Sequence, residues 1–98
     1  MKAVIDNYSC WINETDPSKL QEIFKELLLV SGFGLLNFME HRFDPQGYTC
    51  IWLLSESHFA VHTFPEEHKT YIELSSCNRK MYDDFLHLLN KSGLIIHD

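Results

Sequence analysis

The stretch Tyr48-Thr49-Cys50-Ile51-Trp52-Leu53-Leu54-Ser55-Glu56-Ser57-His58-Phe59-Ala60-Val61-His62-Thr63-Phe64 decides the fold. Tyr48 to Leu54 is a nearly continuous apolar run, the pattern of a strand covered on both faces or lying at the centre of a sheet. His58 to Phe64 alternates instead, with Phe59 and Val61 on one side and His58, Ala60, His62 and Phe64 on the other. Two strands separated by so short a polar break form an antiparallel hairpin. Upstream, Asp44-Pro45-Gln46-Gly47 is a turn with proline at its second position, which makes Leu35 to Phe43 a preceding strand. Downstream, Pro65 to His68 turns the chain into another short strand, Thr70 to Ser75.

Helices flank this block. Asp16-Pro17 offers an N-cap oxygen followed by a proline whose missing N–H is no loss at a helix start. Leu20, Ile23, Phe24, Leu27 and Leu28 then recur at helical spacing as one apolar stripe, ended by Gly32 and Gly34. Arg79 to Asn90 repeats the pattern with Met81, Phe85, Leu88 and Leu89, closed by Gly93. Ala3 to Trp11 reads as a first strand and Leu94 to His97 as a final edge strand. The order β-α-β-β-β-β-α-β predicts an α+β fold, a two-layer α/β sandwich with helices on one face of a mostly antiparallel sheet.

Composition bounds the function. At 98 residues the chain is expected to form one domain, 1–98, with no linker or internal repeat. Its 8 basic against 14 acidic residues give a net charge of −6, without the basic footprint that nucleic-acid binding requires. No apolar run reaches the roughly 20 residues of a membrane span, and Asp6 and Asn7 interrupt any signal-peptide pattern. Cys10, Cys50 and Cys77 are odd in number and widely spaced, which suits free thiols in the cytoplasm better than a disulfide framework or a zinc site.

The polar break Ser55-Glu56-Ser57-His58 admits two readings. It is a tight hairpin turn, or it holds a serine at a strained peptide between two rigid strands, a plausible nucleophile. Against the plain turn, it lacks the Asn-Gly or Asp-Gly that such turns favour. His58 and His62 fall four apart, which on a strand gives one shared face rather than a metal pair, so no metal site is expected. From spacing alone, Cys77 is a small buried residue or a loop thiol.

The string from Leu54 to Glu66 resembles the signature of the prokaryotic S-adenosylmethionine decarboxylase family. His41-Arg42-Phe43-x-Pro45-x-Gly47 upstream is similar to that family as well, and Cys77 falls at the spacing of its catalytic cysteine. The likeness runs without a gap from about His41 to Cys77. It implies a proenzyme that cuts itself between Glu56 and Ser57, giving 1–56 and 57–98, and converts Ser57 into a pyruvoyl cofactor. Ser57 would attack the Glu56 carbonyl. His62 would take the α-proton of the resulting ester, as a base with near-neutral affinity for a proton can. Thr49, where the family has a serine, would assist with its hydroxyl. The substrate amine would then condense with the pyruvoyl ketone as a Schiff base, carbon dioxide would leave, and Cys77 would protonate the carbanion.

The resemblance also implies a substrate and partners. Phe43 and Phe64 match the aromatics that sandwich adenine, and Glu66 the carboxylate that binds ribose hydroxyls. Read without it, both phenylalanines are core residues and Glu66 is an exposed turn residue. The implied substrate is S-adenosylmethionine, for polyamine and spermidine synthesis. A relative acting on ornithine or arginine, or a non-catalytic regulatory homologue, stands as the alternative. Family members are symmetric dimers whose sites draw on both subunits, so a homodimer is expected. The sequence departs from the pattern in lacking an N-terminal Gly-x-His, in having Asn78 after Cys77, and in ending at Asp98 before a common C-terminal extension. Effects of those ends on the dimer or site rim are expected.

Overall fold

A computed structural model describes residues 3–97. Met1, Lys2 and Asp98, the extreme ends of the expected domain, lie outside the described residues. Six strands and two helices follow the expected order: β1 Asp6–Ile12, α1 Pro17–Val30, β2 Leu35–Arg42, β3 Tyr48–Leu54, β4 Ser57–Phe64, β5 Lys69–Ser76, α2 Arg79–Asn90 and β6 Ile96–His97. The strands form one antiparallel sheet in the order β2-β3-β4-β5-β1-β6. This is the α+β sandwich expected from the sequence. No helix among the described residues is long and apolar enough to cross a membrane.

The helices form where their caps and stripes require. The Asp16 carboxylate accepts the Lys19 N–H at 3.0 Å ahead of Pro17, and the Asn78 side chain accepts the Met81 N–H at 2.9 Å ahead of α2. Leu20, Phe24 and Leu28 of α1 and Phe85 and Leu89 of α2 are fully buried against one face of the sheet. Phe24 lies 4.9 Å from Phe59, and Phe59 lies 5.3 Å from Phe85, measured between ring centres. This aromatic cluster ties both helices to β4. Past α1, Ser31 caps the end and Gly32 takes φ 98°, a left-handed turn that favours glycine.

The second face of the sheet carries no helix. On β3, Tyr48, Cys50, Trp52 and Leu54 are buried beneath the helices, while Ile51 and Leu53 point the other way and are 38% and 50% exposed. The continuous apolar run of β3 therefore has one covered face within this chain, not two. Met39, the register partner of Ile51, is 67% exposed beside it.

Candidate active site

The β3–β4 hairpin turns through Ser55 and Glu56, with Leu54 paired to Ser57. Glu56 adopts φ 58°, a left-handed conformation costing a residue with a Cβ roughly 1–2 kcal/mol. Hydrogen bonding helps to hold it there: the Ser55 N–H donates to the Gly34 carbonyl at 3.0 Å. Gly34 itself has to be small, because a Cβ there would stand 2.6 Å from Ser55 Oγ. Both expectations for this break thus hold together, since it is a hairpin turn and it is strained next to Ser57.

Cys77, just past β5, reaches over this turn. Its thiol donates to the Glu56 carbonyl oxygen at 3.0 Å, and its N–H donates to Ser57 Oγ at 3.4 Å. The Glu56 carboxylate is 3.8 Å from the same sulfur. Ser57 is buried and Cys77 exposed. The thiol facing the carbonyl suits stabilisation of negative charge developing on that oxygen, while the N–H holds the neighbouring hydroxyl.

The other expected residues gather at the opposite end of the same hairpin. Phe43, Thr49, His62, Phe64 and Glu66 line one cavity of about 400 Å³. Thr49 is the register partner of His62, and its Oγ1 shares a 3.0 Å hydrogen bond with His62 Nδ1, whose tautomer sets the donor. The His62 ring also stacks on Tyr71 of β5, 6.4 Å between centres. Phe43 and Phe64 are half exposed at the rim rather than in the core, Phe43 lying edge-on to His41. Glu66 sits in the single 3-10 turn Pro65–Glu67 and accepts a hydrogen bond from the Gln46 amide at 3.1 Å.

The expected residues therefore form two groups, Glu56–Ser57–Cys77 and Phe43–Thr49–His62–Phe64–Glu66. His62 lies five residue steps beyond Ser57, about 16 Å along β4. One copy of the chain does not bring His62 to Ser57.

Three supporting residues were not singled out from sequence. Gln46 orients Glu66, and its signal was its place inside the Asp44–Gly47 turn. Thr63 is buried, and its Oγ1 accepts the Tyr48 N–H at 2.9 Å, fixing the strand end on which Thr49 and His62 meet. Tyr71 packs on His62, which only sheet register reveals. Beneath this end, Tyr48 OH donates to Glu40 at 2.7 Å, and burial followed by that contact pushes its phenol well above the usual range. Burial likewise pushes the Cys50 thiol up to about 11.

A family model described as S-adenosylmethionine decarboxylase matches residues 1–97. An S-adenosylmethionine decarboxylase proenzyme of Synechococcus sp. (strain WH7803) is 36% identical, the match covering 76% of this chain and 59% of that protein. S-adenosylmethionine decarboxylase proenzyme 2 of Bacillus anthracis is 44% identical over 49% of this chain and 39% of its own length. The chain thus spans less than two thirds of the curated relatives it matches. In structure it is similar to the adenosylmethionine decarboxylase from Aquifex aeolicus, with a TM-score of 0.68 over 99% of this chain and 89% of that one. At 18% identity, that likeness supports the shared fold. The strained Glu56–Ser57 turn under Cys77 and the match along residues 1–97 make this chain a member of the S-adenosylmethionine decarboxylase family.

Proposed function

We propose that the chain is the proenzyme of a pyruvoyl-dependent S-adenosylmethionine decarboxylase, cutting itself between Glu56 and Ser57. The observation that carries this reading is the turn itself, where a left-handed Glu56 presents its carbonyl to the Cys77 thiol at 3.0 Å with Ser57 Oγ beside it. Ser57 Oγ attacks the Glu56 carbonyl carbon, its proton passes to the residue 57 nitrogen, and the C–N bond opens to an ester, relieving the strain at Glu56. The Cys77 thiol steadies the charge during this step. A base then removes the Cα proton of residue 57, the Cβ–Oγ bond breaks, and Glu56 leaves as a carboxylate. Water finally displaces ammonia from residue 57.

That base is His62 of a second copy, because His62 of the same copy is about 16 Å away. The helix-free sheet face supports a homodimer: Met39, Ile51 and Leu53 expose a contiguous apolar surface in register across β2 and β3. If two such faces pack about a two-fold axis running across the strands, the Ser57 end of one copy meets the His62 end of the other. Each composite site then holds Ser57 and Cys77 from one chain and Phe43, Thr49, His62, Phe64 and Glu66 from its partner. Thr49 orients the His62 ring through their shared hydrogen bond.

For the substrate, Phe43 and Phe64 at the rim offer π-faces to adenine, and Glu66, held by Gln46, accepts the ribose hydroxyls. A pyruvoyl group at residue 57 supplies an electron-withdrawing carbonyl that holds the electrons released with carbon dioxide. Cys77 then gives its proton to the substrate Cα. The product would serve polyamine synthesis, including spermidine. Thiols such as the buried Cys50 and the exposed Cys77, free of any disulfide, suit the cytoplasm. Intact-mass measurement of purified protein tests the reading: two fragments, 1–56 and 57–98, with the second lacking a free α-amine, are expected. An intact chain after prolonged incubation refutes it. Product analysis with S-adenosylmethionine, ornithine and arginine in parallel tests the substrate, and carbon dioxide released only from an amino acid overturns that choice.

A further inference from the structure

We infer that the carboxylate released at Glu56 stays docked on Cys77 after cleavage and holds the Cys77 thiol in its protonated, proton-donating form; this rests on the cleavage reading above. The argument is one of atoms. When Ser57 Oγ bonds to the Glu56 carbonyl carbon, the C–N bond breaks. When the Cβ–Oγ bond later breaks, its electron pair stays on Oγ and a base carries off the Cα proton. The new Glu56 carboxylate therefore consists of the original carbonyl oxygen and the former Ser57 hydroxyl oxygen.

Those two oxygens are the ones that Cys77 already addresses, the first through its S–H at 3.0 Å and the second through its N–H at 3.4 Å. The product carboxylate thus forms beside both donors. An anion is also the stronger acceptor for both donors. Cleavage thus turns a neutral carbonyl beside the sulfur into a negative charge. A thiolate there would face like-charge repulsion and lose the S–H···O bond, so the S–H form is favoured. That is the form a proton donor needs. One residue serves two steps: its donors steady the attack on Glu56, and the product of that attack then keeps its proton in place for decarboxylation.

The other charged groups beside Cys77, including the His62 and Glu66 that a second copy brings to the composite site, are present in both cut and uncut protein. The Glu56 side chain is 3.8 Å from the sulfur in the uncut chain. Asp6, opposite Ser76 on β1, is paired with Arg79 of α2 at 3.1 Å. His58 lies opposite Ser75. Comparing cut and uncut protein therefore isolates the new carboxylate. Cys10 and Cys50 are buried, so a neutral alkylating reagent applied to native protein reports on Cys77.

The test measures iodoacetamide alkylation of Cys77, located by peptide mass, in cleaved wild type and in the uncut Ser57→Ala variant. At about pH 8, native cleaved protein should react about tenfold more slowly, the effect of one like charge on a thiol. The two should react equally in urea, and the native ratio should approach one at strongly alkaline pH, well above the ordinary thiol range. Equal or faster reaction of the cleaved protein at the lower pH overturns the inference. A deficit that persists at the higher pH means shielding of the sulfur and overturns it too. A wild-type chain that never cleaves shows instead that the cleavage reading has failed, and this inference with it.

Discussion

Self-cleavage by a composite site makes a quantitative prediction for mixed dimers. Ser57→Ala removes the nucleophile, and His62→Ala removes the base about 16 Å away on the same strand. If the base acts within one chain, neither variant cuts, and mixing them changes nothing. If it acts across a two-fold interface, a dimer of one variant with the other has one site in which Ser57 and His62 are both intact, and one in which both are missing. Co-expression at equal levels makes about half of the dimers mixed by random pairing. One chain in each mixed dimer can then be cut, always the His62→Ala chain, so about a quarter of all chains should be cleaved. Distinct mass tags on the two variants, followed by intact-mass spectrometry, read this directly. Absence of cleavage in the mixture, with mixed dimers demonstrated by the tags, refutes the cross-subunit site. Cleavage of His62→Ala expressed alone refutes the role given to His62.

Thr49→Val keeps the β-branched shape but removes the oxygen bonded to His62 Nδ1 at 3.0 Å. Cleavage should slow by roughly tenfold or more, the cost of a misoriented base, whereas Thr49→Ser should cut at least as fast as wild type; time courses on a denaturing gel decide. Phe24→Ala removes a ring packed against both Phe59 and Phe85 and should cost about 3–5 kcal/mol by urea unfolding; a loss below about 1 kcal/mol would mean that the cluster is not the core. Cys50 is buried with its thiol pushed up to about 11, so in the unfolded chain it ionises first. Its contribution to stability is complete below the ordinary thiol range and is lost as pH rises towards 11, by about 3 kcal/mol at most. Cys50→Ala should flatten that alkaline part of the stability profile, and an unchanged slope counts against the assignment.

Much of the fold was legible because its signals are local. Asp16-Pro17 and the Leu20–Phe24–Leu28 stripe name α1 by chemistry that acts within one or two helical turns, and Asp44-Pro45-Gln46-Gly47 names a turn by its proline and glycine. The β1 boundary was less legible: the strand runs Asp6–Ile12, not Ala3–Trp11, because pairing with β5 rather than local composition sets it. The site residues were legible as a set and not as an arrangement. Ser57 and His62 are five apart in a motif that gives them one shared reaction, yet an extended chain advances about 3.3 Å per residue and carries them to opposite ends of β4. Gln46, Thr63 and Tyr71 were not legible as site residues, since each acts through a partner on another strand or turn, although Gln46 stood inside a recognised turn.

One difference between sequence and structure itself bears on the composite site. The run Tyr48 to Leu54 has the composition of a strand covered on both faces, and this chain covers only one. Isolated apolar residues on a surface need no explanation, but Ile51, Leu53 and Met39 lie together in register on the helix-free face. That same face carries His62 and Thr49 at one end and His58 near the Ser57 turn at the other. A sequence pattern records that a side chain is buried, not whether its cover comes from the same chain. A second copy placed there would account for the apolar run of β3. It would also supply the base that the Ser57 end lacks within one chain, so a single interface would answer two separate deficits.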